Sequence, residues 1–210
     1  MTVSPIIEHA AIIVSALSGV LAARGKQLDL FGILVLAVVT SFGGGTVRDL
    51  LVGDVPVSWL KTPMFLHTAL GTGFIAFYVC RFWQPPASLL LVADAFALAL
   101  FTTLGARKGV DMGFSPSVAI MLGITTGVAG GIVRDTMLEQ VPMVFRRNTY
   151  LYATAAACGG GVYLGLRALG SMTIDHAEIC GILTCLVLRL SALRWKLALP
   201  EFTASDTEGG

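Results

Sequence analysis

The sequence predicts an all-α integral membrane protein of seven transmembrane helices, two inverted three-helix repeats plus a seventh helix, with helices 2 and 5 broken at glycines. Three observations carry this reading. The 210 residues are 55% hydrophobic and only 13% charged, where soluble domains carry about 25% charged residues, and the mean hydropathy is +0.81. Seven apolar runs are long enough to cross hydrocarbon, which takes roughly 17–25 residues. The chain also matches itself at a single offset, and the match contains paired glycines and charges.

The apolar runs are 6–23, 30–52, 64–83, 87–104, 117–138, 150–169 and 177–193. The segments between them hold the charges and turn formers: RGKQLD, GDVPVSWLKTP, RFWQPP, ARKGVDMGFSP, EQVPMVFRRN and LGSMTIDH. Seven such runs in one short chain leave too little amphipathic shell to bury them in water. Trp59, Trp83 and Trp195 fall at span ends, where aromatic belts form. The organisation expected is one transmembrane domain over 1–200, with the first repeat at about 5–84, the second at about 87–170 and helix 7 at about 174–195. The polar tail 201–210 is expected to be disordered.

The N-terminus lacks a basic region and carries Glu8 and His9, so no cleaved signal is read. A net charge of +1 without clustered basic residues gives no reason to expect a nucleic-acid partner. The four cysteines lie in apolar stretches without metal-ligand spacing and read as buried thiols. Lys and Arg placement sets orientation. One side collects Arg24, Lys26, Arg81, Arg146, Arg147, Arg189, Arg194 and Lys196; the other collects Lys61, Arg107, Lys108 and Arg167. The bias predicts a multi-pass inner (plasma) membrane protein, N-terminus outside and C-terminus cytoplasmic, in contact with membrane lipids.

An offset of 86 residues lays Gly44-Gly45 on Gly130-Gly131, Val47-Arg48-Asp49 on Val133-Arg134-Asp135 and Val55-Pro56 on Val141-Pro142. Thr68-Ala69 then falls on Thr154-Ala155, Gly73 on Gly159, Glu8 on Asp94 and Gly19 on Gly105. Each repeat holds three spans. An odd number forces the copies to face opposite ways, related by a pseudo-two-fold axis in the membrane plane.

Gly43, Gly44 and Gly45 in the second span, and Gly130 and Gly131 in the fifth, each weaken a helix by about 1 kcal/mol relative to Ala. Unwound backbone at membrane depth is tolerated only inside protein or along a watery cavity, and freed carbonyls there suit a cation. The competing reading is that the glycines let helices pack closely. Two symmetry-related clusters, each followed by an intramembrane charge doublet, favour a break lining a polar path. Adjacent Arg and Asp project about 100° apart on a helix, so the expected pairs run between repeats: Arg48 with Asp135, and Arg134 with Asp49. The alternative is that these charges lock the fold and touch no ion. Thr40, Ser41, Thr46, Thr125 and Thr126 are the candidate pore hydroxyls. No enzyme signature appears: GGGTVRD lacks the GK[ST] ending of a phosphate loop, and HExxH, GxSxG and CxxC are absent. No cofactor, catalytic or metal residue is assigned.

Paired GGGxxRD and GGxxRD motifs, each followed by a VP turn in a seven-span chain, resemble the prokaryotic trimeric intracellular cation (TRIC) channels, sequences also labelled as glycine transporters. The resemblance spans about residues 5–195. It implies a homotrimer with a pore in each protomer, lined by the second and fifth helices, kinked at Gly43, Gly44, Gly45, Gly130 and Gly131, and passing monovalent cations, chiefly potassium. Arg48, Asp49, Arg134 and Asp135 are the motif charges. Ala129 stands where a third glycine would match Gly43, which implies a weaker second kink. Two rivals to the channel stay open: a secondary transporter of a small solute such as glycine, whose half-helix N-termini would favour a carboxylate, and a non-conducting scaffold.

Overall fold

A computed structural model describes residues 4–146, 151–170 and 172–197. All its regular structure there is helical: α1 (Ser4–Ala22), α2 (Leu30–Leu51), a single turn α3 (Ser58–Lys61), α4 (Pro63–Phe82), α5 (Ala87–Asp111), α6 (Pro116–Met137), a 3₁₀ turn (Met143–Phe145), α7 (Tyr152–Ala168) and α8 (Ile174–Trp195). The seven expected spans are α1, α2, α4, α5, α6, α7 and α8. Six are long and apolar enough to cross a membrane. The other, α7, has 17 residues, the lower end of what hydrocarbon requires. The tail expected to be disordered lies outside the described residues.

Local chemistry sets the helix starts. Asp29 caps α2 by accepting from the Gly32 amide at 2.8 Å, and Pro63 and Pro116 occupy first-turn positions of α4 and α6, where a missing N–H costs nothing. The fourth span runs further than its apolar stretch, through Arg107 and Lys108 to Asp111. Within each repeat the three long helices pack on one another, α1 with α2 and α4, and α5 with α6 and α7. The repeats meet where α2 crosses α6 and α1 meets α5, and α8 packs on α5 and α7 alone among the described elements with substantial contact.

The structure corrects the expected breaks. Both α2 and α6 run as unbroken helices through Gly43, Gly44 and Gly45 and through Gly130 and Gly131. The glycines serve the competing role of close approach. A Cβ on Gly44 would stand 2.0 Å from the Thr126 carbonyl oxygen, and one on Gly130 would stand 2.5 Å from that of Thr40. Thr40 and Thr126 are themselves repeat mates, so the contact is reciprocal and the pseudo-two-fold passes between the two glycines. Helix-to-helix contacts of this kind set Cα–H groups against carbonyl oxygens, and lipid supplies no hydrophobic force to replace them. Gly45 and Gly131 face open space or ordinary contact distances. Of the four cysteines expected to be buried, only Cys185 is; Cys158 is exposed.

Candidate functional site

The charge doublets pair within each repeat, not between repeats. Arg48 Nε donates to Asp49 Oδ1 at 2.8 Å, and Arg134 Nε to Asp135 Oδ1 at 2.7 Å. The long arginine stem folds back over its neighbour, which the angular argument for rigid side chains did not allow. Each aspartate's second oxygen holds the turn that follows its helix. Asp49 Oδ2 accepts from the Ser58 amide at 2.7 Å and its hydroxyl at 2.6 Å. Asp135 Oδ2 accepts from the Met143 amide at 2.9 Å. The backbone repeats the pattern: the Asp54 amide donates to Asp49 O, and the Gln140 amide to Asp135 O, both at 2.9 Å. The doublet and the VP turn are therefore one unit, in which a buried carboxylate ties the returning chain to the helix end.

Two cavities lie along α2, the second of them at its crossing with α6. The outer one, about 270 Å³, is lined by Glu8, Ser41, Gly45, Arg48, Phe101 and Arg107 among others. The inner one, about 10 Å³, lies among Ser15, Ser18, Thr40, Asp94, Thr126 and Arg134, and has room for about one water. They are repeat mates: Glu8 corresponds to Asp94, Gly45 to Gly131, Arg48 to Arg134 and Phe101 to Ser15. Phe101 borders both. Both cavities border the unbroken α2, and the inner one also borders the unbroken α6.

The inner cavity is closed by charge. Arg134, fully buried, donates through Nη1 to Asp94 Oδ1 at 3.0 Å and Ser18 Oγ at 3.1 Å. Asp94 Oδ2 and Arg134 Nη2 reach no hydrogen-bond partner among the described residues. Of the five candidate hydroxyls, Ser41 lines the outer cavity and Thr40 and Thr126 the inner one. Both threonines donate to the carbonyl one turn back, Leu36 and Leu122, at 2.6 Å. Thr46 accepts from Trp59 Nε1 at 3.1 Å, and neither it nor Thr125 lines either of these two cavities. At the mouth of the outer cavity, Asp54 takes hydrogen bonds from Lys108 and Lys61, which hold its carboxyl down at about 2.

Several buried polar groups escaped the sequence reading. Ser15 and Ser18 on α1 reach the inner cavity. On α8, Glu178 accepts from Arg107 Nη1 at 2.7 Å, and Arg189, assigned by sequence to the flanking charges, is fully buried with its guanidinium 4.6 Å from the Tyr152 ring centre. Both lay inside the predicted seventh span, so their charge was itself the signal.

Known proteins share this architecture. The family model described as glycine transporter matches twice, over residues 5–81 and 91–168, one match per repeat. The UPF0126 inner membrane protein YadS of Escherichia coli K12 is 40% identical over 196 residues, covering 92% of this chain and 93% of that one. A solved structure of the TRIC trimeric intracellular cation channel orthologue from Rhodobacter sphaeroides superposes with a TM-score of 0.87 at 32% identity, over 94% of this chain and all of the other. A second, solved to explain conductance through TRIC cation channels, gives 0.86 at 32% identity over 98% of this chain. A doubled sequence match, a doubled charge–turn unit and a shared fold at this identity make the chain a multi-pass membrane protein of the prokaryotic TRIC family, the same family whose sequence model carries the glycine transporter description.

Proposed function

We propose that this protein is a channel for monovalent cations, chiefly potassium, with a pathway inside each protomer of a homotrimer in the inner membrane, N-terminus outside and C-terminus cytoplasmic. One observation carries the reading: two polar cavities related by the repeat lie along α2, one of them at its crossing with α6, and share Phe101. Cations entering the outer cavity meet Glu8 and Ser41, cross at Phe101 beside Gly44 and Gly130, and reach the Thr40 and Thr126 main chain and Asp94. Arg134 stands beyond, paired to Asp94, as the barrier to be moved. Carbonyl and hydroxyl oxygens at close quarters replace a cation's hydration shell. The TRIC neighbours, described as cation channels and as trimeric, support both the ion class and the assembly.

A second reading keeps one structural argument. Repeat mates of which one is open and the other closed are what alternating access requires of a transporter, and the cavities differ by about 270 against 10 Å³. The carboxylate argument for glycine has weakened, because unbroken helices present no half-helix N-terminus at the motif. Purified protein in a planar bilayer under a potassium gradient separates the two. Unitary currents reversing at the potassium potential are expected. Saturable, gradient-coupled glycine uptake without unitary current refutes the channel.

A further inference from the structure

At the far end of the first repeat, away from the α2/α6 crossing, a cavity of about 550 Å³ opens between the last turns of α1 and α4 and the first turn of α2. Arg24, Lys26 and Arg81 line it, and no carboxylate does. Its other wall is apolar, with Ile33, Phe77 and Cys80. Two of the cations are fixed by main-chain oxygens: Arg24 donates to the Pro85 carbonyl, and Lys26 to that of Leu138 at 2.9 Å. The Arg81 side chain is exposed and has no partner among the described residues.

Cations at helix C-termini offset the macrodipole, and that explains any one of these residues. It does not explain three gathered round one cavity without a counter-charge, since like charges within a Debye length repel. An anion in the cavity removes that repulsion. Two guanidinium forks and an ammonium match the several oxygens of a phosphate, and the apolar wall matches a hydrocarbon chain. Basic pockets between membrane helices suit lipid headgroups.

We propose that this cavity binds a phosphate-bearing anion, with the phosphate on Arg24, Lys26 and Arg81 and, for a phospholipid, an acyl chain along Ile33 and Phe77. The site shares no residue with the two central cavities, so it stands whether the protein conducts or transports.

The test is thermal unfolding of the full-length protein in neutral detergent with added dioleoyl phosphatidylglycerol, dioleoyl phosphatidylcholine or millimolar inorganic phosphate. Phosphatidylglycerol is expected to raise Tm several degrees above phosphatidylcholine. Arg81→Gln, which breaks no bond in the fold, removes most of that increment; Arg194→Gln, an exposed cation near the end of α8, keeps it. If inorganic phosphate alone reproduces the shift and Arg81→Gln abolishes it, the site stands and its ligand is soluble phosphate. Equal shifts with both lipids and none with phosphate overturn the proposal, as does an anion-dependent shift that survives Arg81→Gln or falls equally in Arg194→Gln.

Discussion

Substituting alanine singly at Gly44 and Gly45 separates close packing from helix breaking, because the two neighbours differ completely in surroundings. A methyl on Gly44 would lie 2.0 Å from the Thr126 oxygen and 3.5 Å from the Gly130 nitrogen. Both neighbours are main chain and cannot swing aside, so α2 and α6 must separate by more than about 1 Å to reach ordinary contact. Overpacking of this kind costs about 1–3 kcal/mol, and pulling the reciprocal Cα–H groups away from their carbonyl oxygens adds about 0.5–1 kcal/mol for each pair. Against this, alanine returns about 1 kcal/mol of helix propensity. The net expectation for Gly44→Ala is a loss of about 2 kcal/mol. At Gly45 the nearest neighbour is the Arg48 guanidinium at 3.8 Å, so only the propensity gain of up to about 1 kcal/mol remains. Unfolding in mixed micelles measures both, and bilayer conductance should fall in the first variant and hold in the second. Equal damage from the two substitutions would refute the packing argument and restore a backbone break at the triple glycine. A neutral Gly44→Ala would mean that the crossing is not tight.

Other consequences follow from the charge network. A double-mutant cycle between Arg48 and Asp49 should give a coupling of about 0.5–3 kcal/mol, while one between Arg48 and Asp135 should be additive within about 0.5 kcal/mol; rescue by exchanging charges between Arg48 and Asp135 would contradict the structure. Asp94→Asn strips Arg134 of one of its two carboxylates in a fully buried setting and should cost about 3–5 kcal/mol, read as a fall in Tm; a change within error would mean that water solvates the guanidinium. Asp54 titrates at about 2, below the ordinary carboxylate value of 3.8. Its contribution is therefore present above 3.8 and lost as pH falls towards 2. The Tm difference between the wild type and Asp54→Asn should hold from neutral pH down to about 4 and shrink only below it; a difference already gone at about pH 5 would place the lysine contacts elsewhere.

Much of the architecture was legible because the membrane restricts the choices. Apolar runs of fixed minimum length bounded by charges predict spans, and the offset that lays Gly44 on Gly130 predicts the α2/α6 axis. What was misread concerns side-chain reach and backbone continuity. Projection angles treat Arg48 as a rigid pointer, yet its stem lets Nε return to the adjacent carboxylate, so Arg48 was matched with Asp135 where it meets Asp49. Glycine is permissive in two ways at once: it can leave the helix or admit a neighbour's backbone. Composition does not distinguish these; only the position of Thr126 opposite Gly44 does. Glu178 and Arg189 were readable as charges inside the seventh span, but Glu178 was passed over and Arg189 assigned to the flanking charges. Eleven residues apart on α8, they fall about three turns apart on one face, and both turn inward.

The repeat also explains why its two cavities differ. In the first repeat the Arg48 guanidinium is drawn towards α3, where Nη2 donates to Ser58 Oγ at 3.1 Å. The mate of Ser58 is Val144, which has no hydroxyl, and the Arg134 guanidinium turns the other way, to Asp94 and Ser18. One copy therefore ties its arginine to α3 beside the larger cavity; the other turns its arginine to Asp94 and Ser18 beside the smaller one. Ser58→Ala tests the account: it removes the hydroxyl's bonds to Arg48 and to Asp49 Oδ2, while the Ser58 amide keeps the turn tied to that oxygen. Loss of the anchor frees Arg48 to lean into the outer cavity. A cysteine at Gly45, in protein with the native cysteines replaced by serine, should then react several-fold more slowly with a charged, water-soluble thiol reagent. An unchanged rate would mean that α1 and α5, and not the Ser58 anchor, keep the outer cavity open.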